Sequence, residues 1–277
     1  MIDKTQLPFL IKLVDDPSPA VRTKVAQKLR VFGSSVWQEI DHLQLPVSET
    51  QRSVLEEILN AHDNAALKSA WRSWQTLDDD AARLEEAFRL LADWQMGQGS
   101  GARLRRLLDG LADEFHRSGH PPHPTSLSLF LFEEKGLQGA VEDYYNPLNS
   151  NLVYVIETGQ GIPISLACVF MLVGRRLGIS IHGLAFPGHF LAQAHDGKRD
   201  FVFDCFNGGR LLSGADMVTL RKAAPEAMTV PATALDIVGR ALRNLANAYY
   251  QSSDTEKARF MLSLLSGLEL PEHQKSS

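Results

Sequence analysis

His189 and Asp204 are the two residues of this chain whose types and spacing can do proton chemistry together. His189 sits in Phe186-Pro187-Gly188-His189-Phe190 and Asp204 in Phe203-Asp204-Cys205-Phe206, each in an apolar run that reads as a β-strand. The two runs are joined across His195-Asp196-Gly197-Lys198, and Asp-Gly between such runs is a strong hairpin signal. A turn at Asp196-Gly197 sets His195 opposite Lys198 and, counting back, His189 opposite Asp204. Directly opposed residues have Cβ atoms about 4.5–5.5 Å apart. At that separation the carboxylate orients the imidazole ring, as in the base half of a nucleophilic triad. A structural His–Asp pair that holds the hairpin together fits the same spacing. Upstream, an apolar helix starts at Ile164 and ends at Gly178, with Arg175 and Arg176 in its last turn, where cations suit the macrodipole. Helix, then histidine on a strand, then aspartate on the next strand is the order of a Cys-His-Asp acyl-transfer site.

The elements that must position these residues are legible on both sides. The N-terminal part reads as helical: Leu7, Leu10 and Ile11 form one face, Asp15-Asp16-Pro17-Ser18-Pro19 breaks it, and Val21, Val25 and Leu29 form the next. This is one HEAT-type repeat or a plain helical hairpin. Further helices are expected at Glu49–Ala61, Ala65–Thr76 and Asp80–Trp94, with Trp71, Trp74 and Trp94 packing between them, and another from Ala102 to Arg117. Arg103, Arg105 and Arg106 read as a solvated face, because Asp109, Asp113 and Glu114 follow on the same helix. His116, His120 and His123 lie in a Pro-rich connector without a cysteine or a fixed-spacing partner, so no metal site is expected there. Asn149 or Ser150 is placed to cap a short helix. Strands are expected at Ile179–Ala185, Phe190–Ala194 and Phe201–Phe206. After Ala232 the pattern returns to a helix–turn–helix, a tetratricopeptide-like unit or a plain hairpin.

Composition bounds the function. Of 277 residues, 44% are hydrophobic and 22% charged, and the net charge of −5 gives no bulk attraction to nucleic acid or anionic lipid. Cys168 and Cys205 both lie in apolar runs, which argues for a reducing compartment and against a disulfide framework. No secretory signal is read at the N-terminus, and the longest apolar stretch is shorter than the roughly 20 residues a bilayer requires. A cytoplasmic protein without cofactor is the expectation.

The run YYNPLNSNL…GIPISLACVFMLVGRRLGI…PGHFLAQ…FDCFNGG closely resembles the SirB-type bacterial branch of transglutaminase-like proteins, over roughly residues 81 to 268. The resemblance implies an α+β, papain/transglutaminase-like core, a helix packed on an antiparallel sheet, followed by tetratricopeptide-like helices. Together with the helical, HEAT-like reading of 1–80 from periodicity, it divides the chain into segments 1–80, 81–231 (core) and 232–277 (helical hairpin). His189 and Asp204 match the family's histidine and aspartate. The cysteine position does not match: where an intact site reads G-x-C-x-S-L-A, this chain reads Gly161-Ile162-Pro163-Ile164-Ser165-Leu166-Ala167. Proline suits a first helical turn but brings no nucleophile and no N–H for an oxyanion. Thr158-Gly159-Gln160 also departs from relatives that carry basic residues before the Gly-x-Pro. Ser165 and Cys168 are weak substitutes, Ser165 pointing elsewhere unless it caps the helix and Cys168 lying deep in an apolar face. The expected function is a non-catalytic protein that binds a protein or peptide in a groove shaped by Pro187, Gly188, Asn207, Gly208 and Gly209. Two other readings stay open: an amidase, peptidase or acyltransferase built on His189 and Asp204, and a helical-repeat scaffold.

Overall fold

The computed structural model describes residues 4–32, 35–225 and 230–268, so the ends of the 1–80 and 232–277 segments lie outside the described residues. Four helices open the chain: α1 (Leu7–Lys12), α2 (Pro19–Phe32), α3 (Ser35–His42) and α4 (Glu49–Ala70). Ser48 starts α4 with a capping box, its hydroxyl accepting from Gln51 N–H at 3.2 Å while the Gln51 side chain accepts from Ser48 N–H. Leu7, Ile11, Val14, Leu29, Val36 and Leu55 form a core of their own among these helices.

The two helices expected within 49–76 are one helix as far as Ala70. Ala61-His62-Asp63-Asn64-Ala65 contains no glycine or proline to stop it, and the half-buried Asn64 is anchored by Trp94, whose Nε1–H donates to the Asn64 side-chain oxygen at 2.7 Å. The tryptophans also divide. Trp71 and Trp74 meet edge to face at 5.8 Å, whereas Trp94 packs on Tyr249 and Phe260 near the C-terminus.

The main core begins with α5 (Asp80–Met96) and α6 (Ser100–Ser118), then α7 (Pro124–Ser128), which continues as a π-turn over Leu129–Glu134. Two short strands, β1 (Gln138–Gly139) and β2 (Gln160–Gly161), pair in parallel and flank α8 (Leu152–Thr158). Asn151, rather than Asn149 or Ser150, caps α8 through Val153 N–H at 3.0 Å. Helix α9 (Pro163–Arg176) runs through the middle of the molecule, and Leu166, Ala167, Cys168, Val169 and Phe170 are all fully buried. Burying each large apolar side chain contributes about 1.5–3 kcal/mol, so the placement of this helix is strongly determined.

An antiparallel sheet follows in the order β3 (Ile181–Phe186), β4 (His189–His195), β5 (Asp200–Asp204), β6 (Arg210–Leu211). Its two faces are sorted by alternation. Phe190, Ala192, Phe201 and Phe203 join the core around α9, with Phe203 edge-on to Phe170 at 5.2 Å. Leu184, Phe186, Leu191 and Val202 face Leu212 and α10 (Gly214–Ala223) through Met217 and Leu220. Gly183 is required where it stands, because a Cβ there would lie 2.5 Å from the Phe190 ring. The closing hairpin, α11 (Ala234–Gln251) and α12 (Thr255–Ser266), puts Ile237, Leu242, Leu245 and Met261 into the same core as α5, α6 and α9.

The β4–β5 register differs from the expected one by two residues. His195 pairs with Asp200 and Ala192 with Phe203. The loop is longer than Asp-Gly alone because the Asp196 carboxylate accepts from both Lys198 N–H (2.9 Å) and Arg199 N–H (3.0 Å), folding four residues into the turn. A slip of two leaves every side chain on its original face.

Candidate functional site

The tip of α9 is built by a tight local network. Gly161 ends β2, Ile162 is extended at φ −86° and ψ 164°, and Pro163 takes the first helical position, where its fixed φ suits the helix. Ser165 is completely buried. Its hydroxyl accepts from Ile162 N–H at 3.0 Å and donates to the Asn149 carbonyl at 2.7 Å, so it caps the helix and its oxygen is committed to backbone. A Cβ at Gly161 would lie 2.7 Å from that hydroxyl, which fixes glycine there. Cys168 and Cys205 are both fully buried, and burial pushes both thiols up, away from the reactive thiolate. Next to Ile162 lies a cavity of about 20 Å³ bordered by Tyr144, Ser150, Asn244 and Asn247, room for about one water molecule.

His189 and Asp204 come together. His189 opens β4 directly after the Pro187-Gly188 turn, where Gly188 has φ 72°, and Asp204 closes β5. With the register moved by two, the pair is diagonal rather than directly opposed, still on one face and within reach. The His189 Nε2 to Asp204 Oδ1 distance is 2.9 Å. Asp204 is 5% exposed and accepts two more bonds, from Asn207 N–H to Oδ1 at 3.2 Å and from Asn207 Nδ2 to Oδ2 at 2.7 Å. Burial acts to raise this carboxyl, but the bonds from His189 and Asn207 outweigh it and hold Asp204 below the usual carboxylate range. The carboxylate is therefore charged, and it fixes His189 through Nε2. The His189 side chain keeps 31% exposure, and Nδ1 bonds to no described group.

The helix tip and the pair are tied through β1. Gly139 pairs with Gly161, and its N–H donates to the Phe206 carbonyl at 3.1 Å. A Cβ on Gly139 would sit 2.6 Å from the Phe206 ring. That ring stands edge-on to His189 at 6.5 Å and to Tyr144 at 6.0 Å.

The residues expected to line a groove divide. Pro187 and Gly188 form the turn before His189. Asn207 spends its amide on Asp204, a role that Asp-x-x-Asn spacing in a turn was able to signal. Gly208 has φ 68°, and Gly209 packs inward, its missing Cβ leaving room for Phe132 and its carbonyl accepting from Ser128 Oγ at 2.9 Å. Of the connector histidines, His120 bonds Glu134 at 2.7 Å and His123 caps α7 through Thr125 N–H at 3.3 Å. Among the described residues, no three metal-ligating side chains cluster.

The fold is a helix packed on an antiparallel sheet, with a histidine and an aspartate joined at the sheet end. Residues 102–243 match the family described as the transglutaminase-like superfamily, and the chain belongs to it. It is similar to a UPF0162 protein of Xylella fastidiosa strain 9a5c, 31% identical over 205 residues that cover 68% of this chain and 72% of that protein. A UPF0162 protein of strain Temecula1 is 36% identical over 148 residues, covering 50% of this chain and about half, 53%, of the relative. A shorter stretch of 82 residues is 30% identical to human F-box only protein 21, covering 30% of this chain and 13% of that protein. No solved structure matches. No described helix is long and apolar enough to cross a membrane.

Proposed function

We propose that this chain is a SirB-type, transglutaminase-like protein in which the scaffold of an acyl-transfer site serves binding rather than turnover. Its ligand is a protein or peptide segment held against His189 and Asp204. The supporting observation is a formed imidazole–carboxylate pair, 2.9 Å apart, in a chain whose helix tip carries Pro163 and whose thiols are buried. Pro163 removes the attacking atom and also a backbone N–H at the helix end, where an oxyanion is ordinarily stabilised. The imidazole keeps Nδ1 open to donate to, or accept from, one ligand amide. In this proposal residues 1–80 form a HEAT-like segment and 232–277 a tetratricopeptide-like one, flanking a core over 81–231, in a cytoplasmic protein.

Substitution of Pro163 by Cys tests the proposal. A thiol at that helix position is stabilised as thiolate by the helix end and by His189. Pro163 is itself buried, so iodoacetamide should leave the folded wild type unlabelled and alkylate Pro163→Cys more slowly than an exposed thiol but measurably, with the rate falling further in the Pro163→Cys/His189→Ala double variant. Labelling of wild-type Ser165 or Cys168 that depends on His189 would support the amidase, peptidase or acyltransferase reading instead. A Pro163→Cys rate independent of His189 would mean that the tip and the pair do not form one site.

A further inference from the structure

Arg240 and Arg243 stand one turn apart on α11, and both border a cavity of about 270 Å³ together with Ala185, Pro231 and Asp236. Neither arginine has an ion-pair partner among the described residues. The carboxylate of Asp236, on the same wall, caps α11, one oxygen accepting from Thr233 N–H at 3.0 Å and from Thr233 Oγ at 2.7 Å, and it forms no ion pair with either arginine, so the two guanidinium charges outnumber it in the cavity. Arg240 is half buried, and burial lowers its pKa, the expected response of a guanidinium taken from water with no counter-charge among the described residues. Such a group is unfavourable in the free protein and favourable once a ligand supplies the anion.

Its position gives this cation a function. Nη1 donates to the Phe186 carbonyl at 2.8 Å, and the guanidinium lies 5.6 Å over the Phe190 ring. Phe186 pairs with His189, so Arg240 is fastened to the turn that presents the imidazole. Tyr144 lies within electrostatic reach of Arg240, and its ring packs on Phe206, which stands beside His189. One bond to Phe186 leaves the other guanidinium N–H groups open, and their planar fork fits a carboxylate. A net charge of −5 supplies no field for a polyanion, which favours a single small anion recognised locally.

We propose that Arg240, assisted by Arg243, is the anion-recognition element of this site and takes the carboxylate of a peptide whose adjoining amide reaches His189. The proposal rests on the peptide-binding function given above and adds the chemical class of the ligand. The carboxylate is a chain terminus or an acidic side chain.

The test is a nuclear magnetic resonance titration of the full chain, following the Arg240 Nε–H and the His189 ring. Four probes are used: N-acetyl-Ala-Ala-Ala with a free C-terminus, the same peptide as its C-terminal amide, N-acetyl-Ala-Glu-Ala amide, and inorganic phosphate. Saturable shifts of both signals with a carboxylate peptide, and a weaker response to the trialanine amide, are expected. The free acid responding best assigns a chain terminus, and the Glu peptide responding best assigns an acidic side chain. Arg240→Gln should weaken carboxylate binding at least about tenfold, the loss of one charged hydrogen bond, and leave the amide unchanged. Arg240→Lys, which keeps the charge and a donor for Phe186, should show an intermediate loss even if the Gln variant is unstable. Equal binding of acid and amide at His189 overturns the carboxylate proposal and leaves peptide binding standing. A response at Arg240 with His189 unmoved sinks the peptide-binding function of the pair and, with it, this use of the arginine. Phosphate binding more tightly than either carboxylate also overturns it.

Discussion

Replacing Asp204 by Asn removes one charge and almost no volume from the centre of the site. The wild-type carboxylate accepts three bonds: His189 Nε2 at 2.9 Å, Asn207 N–H at 3.2 Å and Asn207 Nδ2 at 2.7 Å. An amide keeps one acceptor oxygen and turns its nitrogen toward a group that was donating. One or two charge-assisted bonds are lost at about 1.5–3 kcal/mol each. With the side chain only 8% exposed, solvent does little to soften the loss. The expected cost near pH 7 is about 2–4 kcal/mol, or roughly 5–12 °C in the unfolding midpoint of a domain this size. The cost should depend on pH in a definite direction. Asp204 titrates lower when folded than when unfolded, so the wild type carries the extra stability above the unfolded carboxyl pKa of about 3.9 and loses it as pH falls toward the folded value. Urea unfolding of both proteins should therefore give a gap that is level above that pH, as far as this carboxyl governs it, and closes below it. A gap under about 0.5 kcal/mol near pH 7, the scale of an ordinary surface change, would refute the claim that this carboxylate is held by its neighbours. A gap that persists unchanged into strong acid would refute it equally.

Two further substitutions probe the scaffold. Ser165→Ala should cost about 1–3 kcal/mol in chemical unfolding, because Ile162 N–H keeps only a 3.4 Å contact to the Asn149 carbonyl; a neutral result would mean the hydroxyl does not cap the helix. Gly139→Ala should cost about 1–3 kcal/mol and displace Phe206, visible as a changed His189 ring resonance; an unperturbed spectrum would show that β1 does not set the floor of the site.

Much of the centre was legible because it rests on local signals. The long apolar run and the cationic last turn of α9, the alternation of β4 and β5, and the Asp-Gly turn are all short-range patterns. The partnership of His189 and Asp204 followed from strand parity, which the two-residue slip preserved. The slip itself came from the Asp196 side chain folding two more residues into the turn, a choice between turn types that the dipeptide does not decide. The continuity of α4 past Asn64 was missed for the opposite reason: polar residues there resembled a break, and their anchoring by Trp94 is a tertiary contact. Arg240 was invisible as a site residue, since nothing in α11 indicates that its side chain reaches the Phe186 carbonyl far upstream in the chain.

The burial of α11 and α12 has a consequence for how the architecture can be cut. The match to the superfamily ends at residue 243, partway along α11, yet Leu245 and Met261 beyond it are fully buried. A shortened protein stopping there would keep Arg240 but strip Leu245 and Met261 from the core, and with them the packing that holds the arginine's helix against the histidine's turn. Any lineage that shuffles this module intact must carry the closing helices as part of the cassette, in the way a lock travels with its keeper plate.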